Sequence, residues 1–175
     1  GVLQPIIVRK QASGAYEIVA GERRSKAAQL AGLKTIPAVV KELTNDQVAK
    51  ISLVENLQRE DLNAMDQARG LQRLQMEFDL SQGELAQAVG KSRPSIANLL
   101  RLTNLSKEAQ KMLEEGKIEM GHARALLTLE KQKQTSMAKQ VFQRKLSVRQ
   151  TEVLASKKIQ TNKTTSQQTK KDANT

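Results

Sequence analysis

The chain has no cysteine and no tryptophan among its 175 residues, and it has a single histidine, His122. Without cysteine it can form neither disulfide bonds nor thiolate metal sites, and one histidine cannot make a zinc site alone. Aromatic residues make up only 2% of the sequence. Stacking of bases on aromatic side chains, a common way to bind RNA or single strands, is therefore disfavoured.

Long apolar runs are also missing. No stretch approaches the roughly 20 residues of a membrane-spanning helix, and no signal peptide is visible. We therefore expect a cytoplasmic location. The chain begins at Gly1 in a motif-like stretch, which we interpret as a fragment of a longer protein.

What the chain has in excess is positive charge. Lysine and arginine number 29 against 18 aspartate and glutamate residues, which gives a net charge of +11. Such an excess suits a polyanion such as nucleic acid, although a basic protein without that function would show it too.

The stretch 80–102 has the signals of two short helices joined by a glycine turn. Ser81 and Glu84 have the spacing of a capping box, Gly90 suits the left-handed position that ends a helix, and Ser92 can cap the next helix. This pattern predicts a helix-turn-helix. An ordinary helical hairpin with a polar outer face is the alternative.

The second helix would read DNA with the face opposite its inward residues. A rotation of 100° per residue places Pro94, Ala97, Asn98 and Arg101 opposite the inward residues Ile96, Leu99 and Leu100, with Arg93 at the edge of that face. Arginine suits guanine and asparagine suits adenine. The residues predicted to contact DNA here lie on or just before this helix and are Lys91, Ser92, Arg93, Pro94, Ser95, Asn98 and Arg101.

The first 42 residues differ from the rest of the sequence in their predicted secondary structure. Short β-rich runs occur at 5–9, 16–20 and 36–41, with a helix over 23–31, whereas the chain from Thr44 onward has helical periodicity. We predict an α+β protein with an α/β domain at 1–62, a helical domain at 63–158, and a flexible polar tail at 159–175.

Two polar clusters interrupt this pattern. Gly21, Glu22, Arg23 and Arg24 lie between a strand and a helix, where backbone N–H groups and arginines can bind an anion. A solvated helix start, with Glu22 favoured by the helix dipole, is the alternative.

The second cluster is Glu55-Asn56-Leu57-Gln58-Arg59. Glu55 could hold Mg²⁺ through water or order an attacking water, Asn56 could support it, and Arg59 could meet phosphate. The alternative is simply a polar helix end.

A third cluster follows the helix-turn-helix. Arg124 and Lys117 could reach DNA backbone or base edges, and we include Gly121 in the same predicted surface. His122 is better explained as a packed or surface histidine than as a catalytic one.

Together, these motifs resemble the ParB family of bacterial chromosome and plasmid partition proteins. The residues that carry the resemblance are Gly1 to Ile6, Gly21 to Arg24 with Ala27 and Ala28, Glu55 to Leu62, the helix-turn-helix at 80–102, and Gly121 to Arg124. Their order and spacing are similar to the family over about residues 1–130.

The resemblance implies a CTP-dependent DNA clamp. The N-terminal domain would bind CTP and Mg²⁺ and hydrolyse CTP slowly, and the helical domain would bind a palindromic parS site. A C-terminal dimerisation domain would follow a flexible linker. The clamp would slide along DNA in the nucleoid, with a ParA-type ATPase as partner.

By the same resemblance, each nucleotide motif falls on particular residues. The first motif falls on Gly1, Gln4 and Pro5; the phosphate motif falls on Gly21, Glu22, Arg23 and Arg24; the third falls on Glu55, Asn56 and Arg59. Arg24 is expected to contact the triphosphate. The family's Asn-Pro-x-Gln-Pro-Arg stretch before residue 1 is absent, so we expect weakened CTP binding. Without the dimerisation domain we expect a monomer, or a pair formed on DNA.

We therefore predict a sequence-specific double-stranded DNA-binding protein with a nucleotide switch. A helix-turn-helix repressor that needs no nucleotide is the first alternative. An enzyme in which residues 1–62 act on a small substrate is the second.

Overall fold

A computed structural model describes residues 4–59 and 61–157. The predicted role of Gly1 and the predicted tail at 159–175 lie outside these residues. None of the described helices is both long enough and apolar enough to cross a membrane.

The N-terminal part is a small mixed sheet with one helix. Strands β1 (Ile6–Lys10) and β2 (Tyr16–Ala20) pair antiparallel, with an irregularity in register between Ile7 and Val8. Helix α1 (Glu22–Leu30) follows, and β3 (Ala38–Val40) then pairs parallel to β1, giving the order β2-β1-β3.

The rest of the described chain is helical. The helices are α2 (Asn45–Leu57), α3 (Ala64–Phe78), α4 (Gln82–Val89), α5 (Arg93–Leu102), α6 (Lys107–Glu114), α7 (Met120–Leu126) and α8 (Lys131–Gln143), and residues 148–157 are also helical. Helix α3 lies at the centre and packs against α2, α4, α5 and α6.

Most of the buried apolar side chains belong to the helical part. The largest fully buried ones include Met65, Leu71, Leu85, Ile96 and Leu126. Among residues 4–42 the buried apolar side chains are few, namely Ile6, Val8, Val19 and Ala28. The small sheet therefore has much less hydrophobic stabilisation than the helices.

Helix α2 contacts both β2 and α3, and so joins the small sheet to the other helices. Leu57 at the end of α2 is buried, and it packs against Gly70 so closely that a Cβ on Gly70 would lie 2.5 Å from Leu57 Cδ2. The absence of a side chain at Gly70 is thus what allows this close approach.

The predicted element types agree with the structure, and the differences lie at the ends. Strand β3 is shorter than the predicted run 36–41, although the Lys41 N–H still donates to the Val8 carbonyl (2.9 Å). Helix α7, in the region from Thr44 onward that the sequence predicts to be helical, ends at Leu126. The last residues tighten into a turn in which the Leu129 N–H donates to the Leu126 carbonyl (2.9 Å).

Candidate DNA interface and phosphate site

Helix α4 begins with the capping box expected from the sequence. The Ser81 N–H donates to Glu84 Oε2 (2.8 Å), and the Glu84 N–H donates to Ser81 Oγ (3.3 Å). Gly90 then ends the helix in the left-handed conformation, with φ of 68°. The turn to α5 is therefore short and fixed by local chemistry.

Helix α5 starts at a second cap. Ser92 Oγ accepts from the Ser95 N–H (3.3 Å), and Pro94 lies in the first turn, where a missing N–H is tolerated. The buried side chains of α5 are Ile96, Leu99 and Leu102, which face α3 and α4. Leu100, expected to face inward, is half-buried.

The opposite face of α5 is open and basic. Arg93, Pro94 and Arg101 are exposed, and Asn98 is half-buried with its neighbour Ala97. Lys91 and Ser92 are exposed before the helix, and Ser95 is half-buried. Within residues 4–59 and 61–157, no carboxylate forms an ion pair with Lys91, Arg93 or Arg101. These cations are available to phosphate groups.

The third predicted cluster consists of Lys117, Gly121 and Arg124, and the structure places these three residues in different environments. Arg124 is exposed on α7. Lys117 pairs with Glu115 (2.6 Å), lowering the pKa of that carboxyl, and lies 5.9 Å from the ring centre of Phe142. Gly121 packs closely against Val148, and as a glycine it can offer DNA only backbone groups.

His122 is packed, as the sequence analysis favoured. It is only 8% exposed, and both of its ring nitrogens lie within hydrogen-bond distance of backbone groups.

The strand-to-helix junction at Gly21 has the form of an anion site. Gly21 is left-handed, with φ of 99°, and a Cβ there would lie 2.8 Å from Ile6 Cγ2. No side chain caps α1. Its first N–H groups therefore lack the usual side-chain acceptor and can face an anion.

Arg24 joins this junction to the segment before β1. Its Nη1 donates to the carbonyls of Gln4 (2.9 Å) and Pro5 (2.6 Å). The structure thus brings together Gln4 and Arg24, which the sequence separates by twenty residues. Glu22 and Arg23 are exposed beside them.

The second polar cluster lies at the end of α2. Glu55 and Asn56 are exposed there, and Arg59 donates through Nε (3.2 Å) and Nη2 (2.9 Å) to the carboxylate of Asp61. These hydrogen bonds are the main reason why the pKa of Asp61 is lowered, and the positive charge of Arg23 contributes further. Arg59 is thus held by Asp61 just after the end of α2, close in sequence to the exposed Glu55 and Asn56.

The described residues contain no group of three or more His, Cys, Asp or Glu side chains that could hold a metal ion. Mg²⁺ commonly binds through one or two carboxylates together with substrate phosphates. Glu55 and Asn56 offer oxygen atoms of that kind, so the residues present fit a magnesium ion carried by a phosphate ligand.

Two residues that hold the N-terminal elements and Arg59 in place were not predicted from the sequence. Arg9 on β1 bonds to Glu17 on β2 (2.6 Å) and to Asn45 at the start of α2 (2.7 Å), joining three elements. Asp61 is the partner of Arg59. The opposite charges two residues apart were a signal for Asp61, whereas nothing local indicated Arg9.

The matches to known families cover nearly the whole chain. The ParB N-terminal domain model matches residues 1–57, and the ParB HTH domain model matches residues 60–160. The probable chromosome-partitioning protein ParB of Vibrio cholerae is 50% identical over 157 residues, which is 90% of this chain and 54% of that protein. The corresponding Pseudomonas putida protein is 54% identical over 154 residues, with 88% and 53% covered.

A solved structure shares both sequence and fold. It is the C-terminally truncated chromosome-partitioning protein ParB from Caulobacter crescentus, complexed to the centromeric parS site. It is 46% identical, with a TM-score of 0.83 over 89% of this chain and 83% of that chain. The chain spans about half the length of the curated relatives it matches. On these matches and on its helix-turn-helix, the chain belongs to the ParB family of chromosome-partitioning proteins.

Proposed function

We propose that this chain binds a palindromic, parS-like centromere site in double-stranded DNA and serves bacterial chromosome or plasmid partition. The observation that carries this proposal is the open basic face of α5 in a doubly capped helix-turn-helix. The Caulobacter relative of matching fold is a complex with parS, which supports the same target here. Two copies would meet on the two half-sites of a palindrome.

In this proposal α5 enters the major groove. Arg101 and Asn98 face outward, and their side chains suit guanine and adenine respectively. Lys91 and Arg93 lie at the start of the helix, where they would contact phosphates and fix its register. Arg124 would add a backbone contact from α7.

The nucleotide proposed for the N-terminal part is CTP with Mg²⁺. Gly21 and the first N–H groups of α1 would receive phosphate oxygens, with Arg23, Arg24 and Arg59 supplying positive charge. Gln4 lies beside Arg24 at the edge of this site. Glu55 and Asn56 would orient the metal-bound end and a water molecule, which makes them the candidates for slow CTP hydrolysis.

The negative triphosphate of bound CTP would attract the arginines of both polar clusters, 21–24 and 55–59, and draw the clusters together. Because Leu57 follows Asn56 directly and packs on α3, a shift at the phosphate site would be transmitted to the helical part. We propose that this coupling closes a sliding clamp on DNA in the nucleoid. Self-association and a ParA-type ATPase complete the proposed partners.

The DNA-binding proposal is tested by fluorescence anisotropy with a duplex that carries the parS site. Replacing Arg101 by alanine should cost about 1–3 kcal/mol of preference over a scrambled duplex, because a bidentate base contact is lost. The control is Arg73→Ala, which removes an arginine paired with Glu77 on α3. Equal losses on both duplexes would contradict base reading by Arg101.

The nucleotide proposal is tested by calorimetry with CTP, ATP and GTP, with and without the parS duplex. CTP should bind preferentially, and Arg24→Ala should lose binding. Because Arg24 also holds the Gln4 and Pro5 carbonyls, Arg59→Ala provides a second test at an exposed side chain. Strong parS binding with no response to any nucleotide would favour the simple repressor instead.

A further inference from the structure

The single histidine of the chain occupies a buried junction between two segments. The Glu119 N–H, just before α7, donates to His122 Nδ1 (3.1 Å). His122 Nε2 lies 2.9 Å from the carbonyl oxygen of Leu146, in the turn between α8 and the helical residues 148–157. One side chain therefore bonds to both the start of α7 and the turn that precedes the last helical segment.

These two bonds select one tautomer of the neutral ring. Nδ1 must accept, because its partner is an N–H, and Nε2 must donate, because its partner is a carbonyl. Only the neutral imidazole with its hydrogen on Nε2 satisfies both partners. A proton on Nδ1 would place the ring N–H directly opposite the Glu119 N–H, with no acceptor between them.

Gly121 provides independent evidence for the same junction. A Cβ on this residue would lie 2.7 Å from Val148 Cγ2 and 2.9 Å from Val148 Cγ1. The first turn of α7 is thus in direct contact with the beginning of the last helical segment. Thr151 and Ala155 continue this segment inward and are buried.

Helix α7 is also the element that carries Arg124, and it packs against the recognition helix α5 as well as α6 and α8. We propose that His122 is a positioning residue for DNA binding, which ties α7 to the Leu146 turn and so fixes where Arg124 meets the DNA backbone. This inference rests on the proposed DNA-binding function. Gly121 and His122 then serve the interface through packing, while Arg124 makes the contact.

The variant His122→Gln separates the two bonds of the ring. A glutamine at position 122 is three residues after the N-cap Glu119, so its side-chain oxygen can accept from the Glu119 N–H. The hydrogen bond at the start of α7 is thereby kept. A glutamine amide that folds back to the N-cap in this way turns away from the Leu146 carbonyl, which then loses the donor that the ring supplied. Gln134→Met is the control, because Gln134 is likewise buried and bonds two backbone groups, the Ser106 N–H and the Leu129 carbonyl.

A double-mutant cycle on the full 175-residue chain tests the inference, with affinity for the parS duplex as the readout. His122→Gln should weaken binding about threefold or more in the presence of Arg124 and have little further effect once Arg124 is alanine. Gln134→Met should combine additively with Arg124→Ala. Additive effects of His122→Gln, or unchanged affinity, would overturn the inference.

A second measurement needs no DNA. The ring ¹⁵N shifts of the single histidine should show the Nε2–H tautomer alone, and His122→Gln should speed amide exchange in residues 148–157. A ring that exchanges between tautomers would overturn the inference. If wild-type chain shows the single tautomer but no preference for parS, the proposed function fails while the His122 junction stands.

Discussion

Gly70 and Leu57 show how one missing side chain decides the way in which two helices fit. Glycine inside a helix normally costs about 0.5–1 kcal/mol relative to alanine. Here it lies in the middle of α3, where Leu57 from α2 fills the space that a Cβ would take. The local cost is thus offset by close packing between the N-terminal and helical parts.

We therefore expect Gly70→Ala to destabilise the chain by about 1–3 kcal/mol, because overpacking forces Leu57 out of its site. The free energy of unfolding from urea denaturation measures this. Gly83→Ala is the matched control, since its Cβ would meet nothing nearer than Ser81 Oγ at 3.8 Å. That control should gain about 0.5–1 kcal/mol from helix propensity alone. Stabilisation by both alanines would contradict the proposed packing constraint.

At the scale of elements, the helix-turn-helix is specified mainly by the ends of its two helices. Serine caps start both α4 and α5, and Gly90 separates them. Each cap bond joins residues three apart in the sequence. The start of each helix is therefore specified locally and does not depend on the surrounding packing. The angle between them is then set by the buried side chains of α5.

The cap of α4 gives a pH prediction. Hydrogen bonds from the Ser81 N–H and hydroxyl lower the pKa of Glu84 below its ordinary value. A lowered pKa in the folded state stabilises the fold above the ordinary glutamate range, and this contribution is lost as the pH falls through the folded value. Wild type should therefore exceed Glu84→Gln in stability near neutral pH.

Thermal unfolding of both proteins between neutral pH and about pH 3 tests this cap effect, since protonated glutamate resembles glutamine. The difference in stability should shrink steadily as the solution becomes acidic. A difference that stays constant over this range would show that the Glu84 charge contributes nothing to the cap.

Local signals explain which elements could be predicted from the sequence. Helix α3 begins where Asn63 accepts from the N–H groups of Met65 and Asp66, a pattern visible in the sequence. Helix α8, in contrast, starts at Lys131 without such a pattern. Its N-cap residue Glu130 makes no side-chain cap bond, so no local signal marked the true start.

The candidate sites were predicted only as separate motifs. The bonds from Arg24 to the Gln4 and Pro5 carbonyls and from His122 to the Leu146 carbonyl span about twenty residues each. Such pairings depend on the path of the chain and not on helix or strand periodicity. The sequence predicts candidate residues for the sites, while the fold determines which of them meet.

At the scale of the whole molecule, charge is distributed to suit a polyanion. The net charge is +11, and the basic residues at the start of α5 have no acidic partners among the described residues. Many other surface cations, such as Arg73 and Lys117, are already paired. Within residues 4–59 and 61–157, cations elsewhere, such as Lys10, Lys34 and Lys139, also lack an ion pair, so the helix-turn-helix is part of a wider basic surface.

Affinity for the parS duplex should consequently fall steeply with salt, because each phosphate contact releases a counterion. Arg124→Ala should reduce the slope of log K against log salt by about 1, and it should weaken specific and scrambled duplexes alike. Arg73→Ala should leave the slope unchanged. A slope that does not respond to Arg124→Ala would show that α7 makes no backbone contact.

The placement of Tyr16 on β2 has a practical consequence for such experiments. It is the single tyrosine of a chain without tryptophan, it is 60% exposed, and both phenylalanines lie in the helical part. Intrinsic tyrosine emission therefore comes from the small sheet alone, while circular dichroism is dominated by the helices. Recording both signals in one titration distinguishes loosening of the sheet from melting of the helices, without any attached dye.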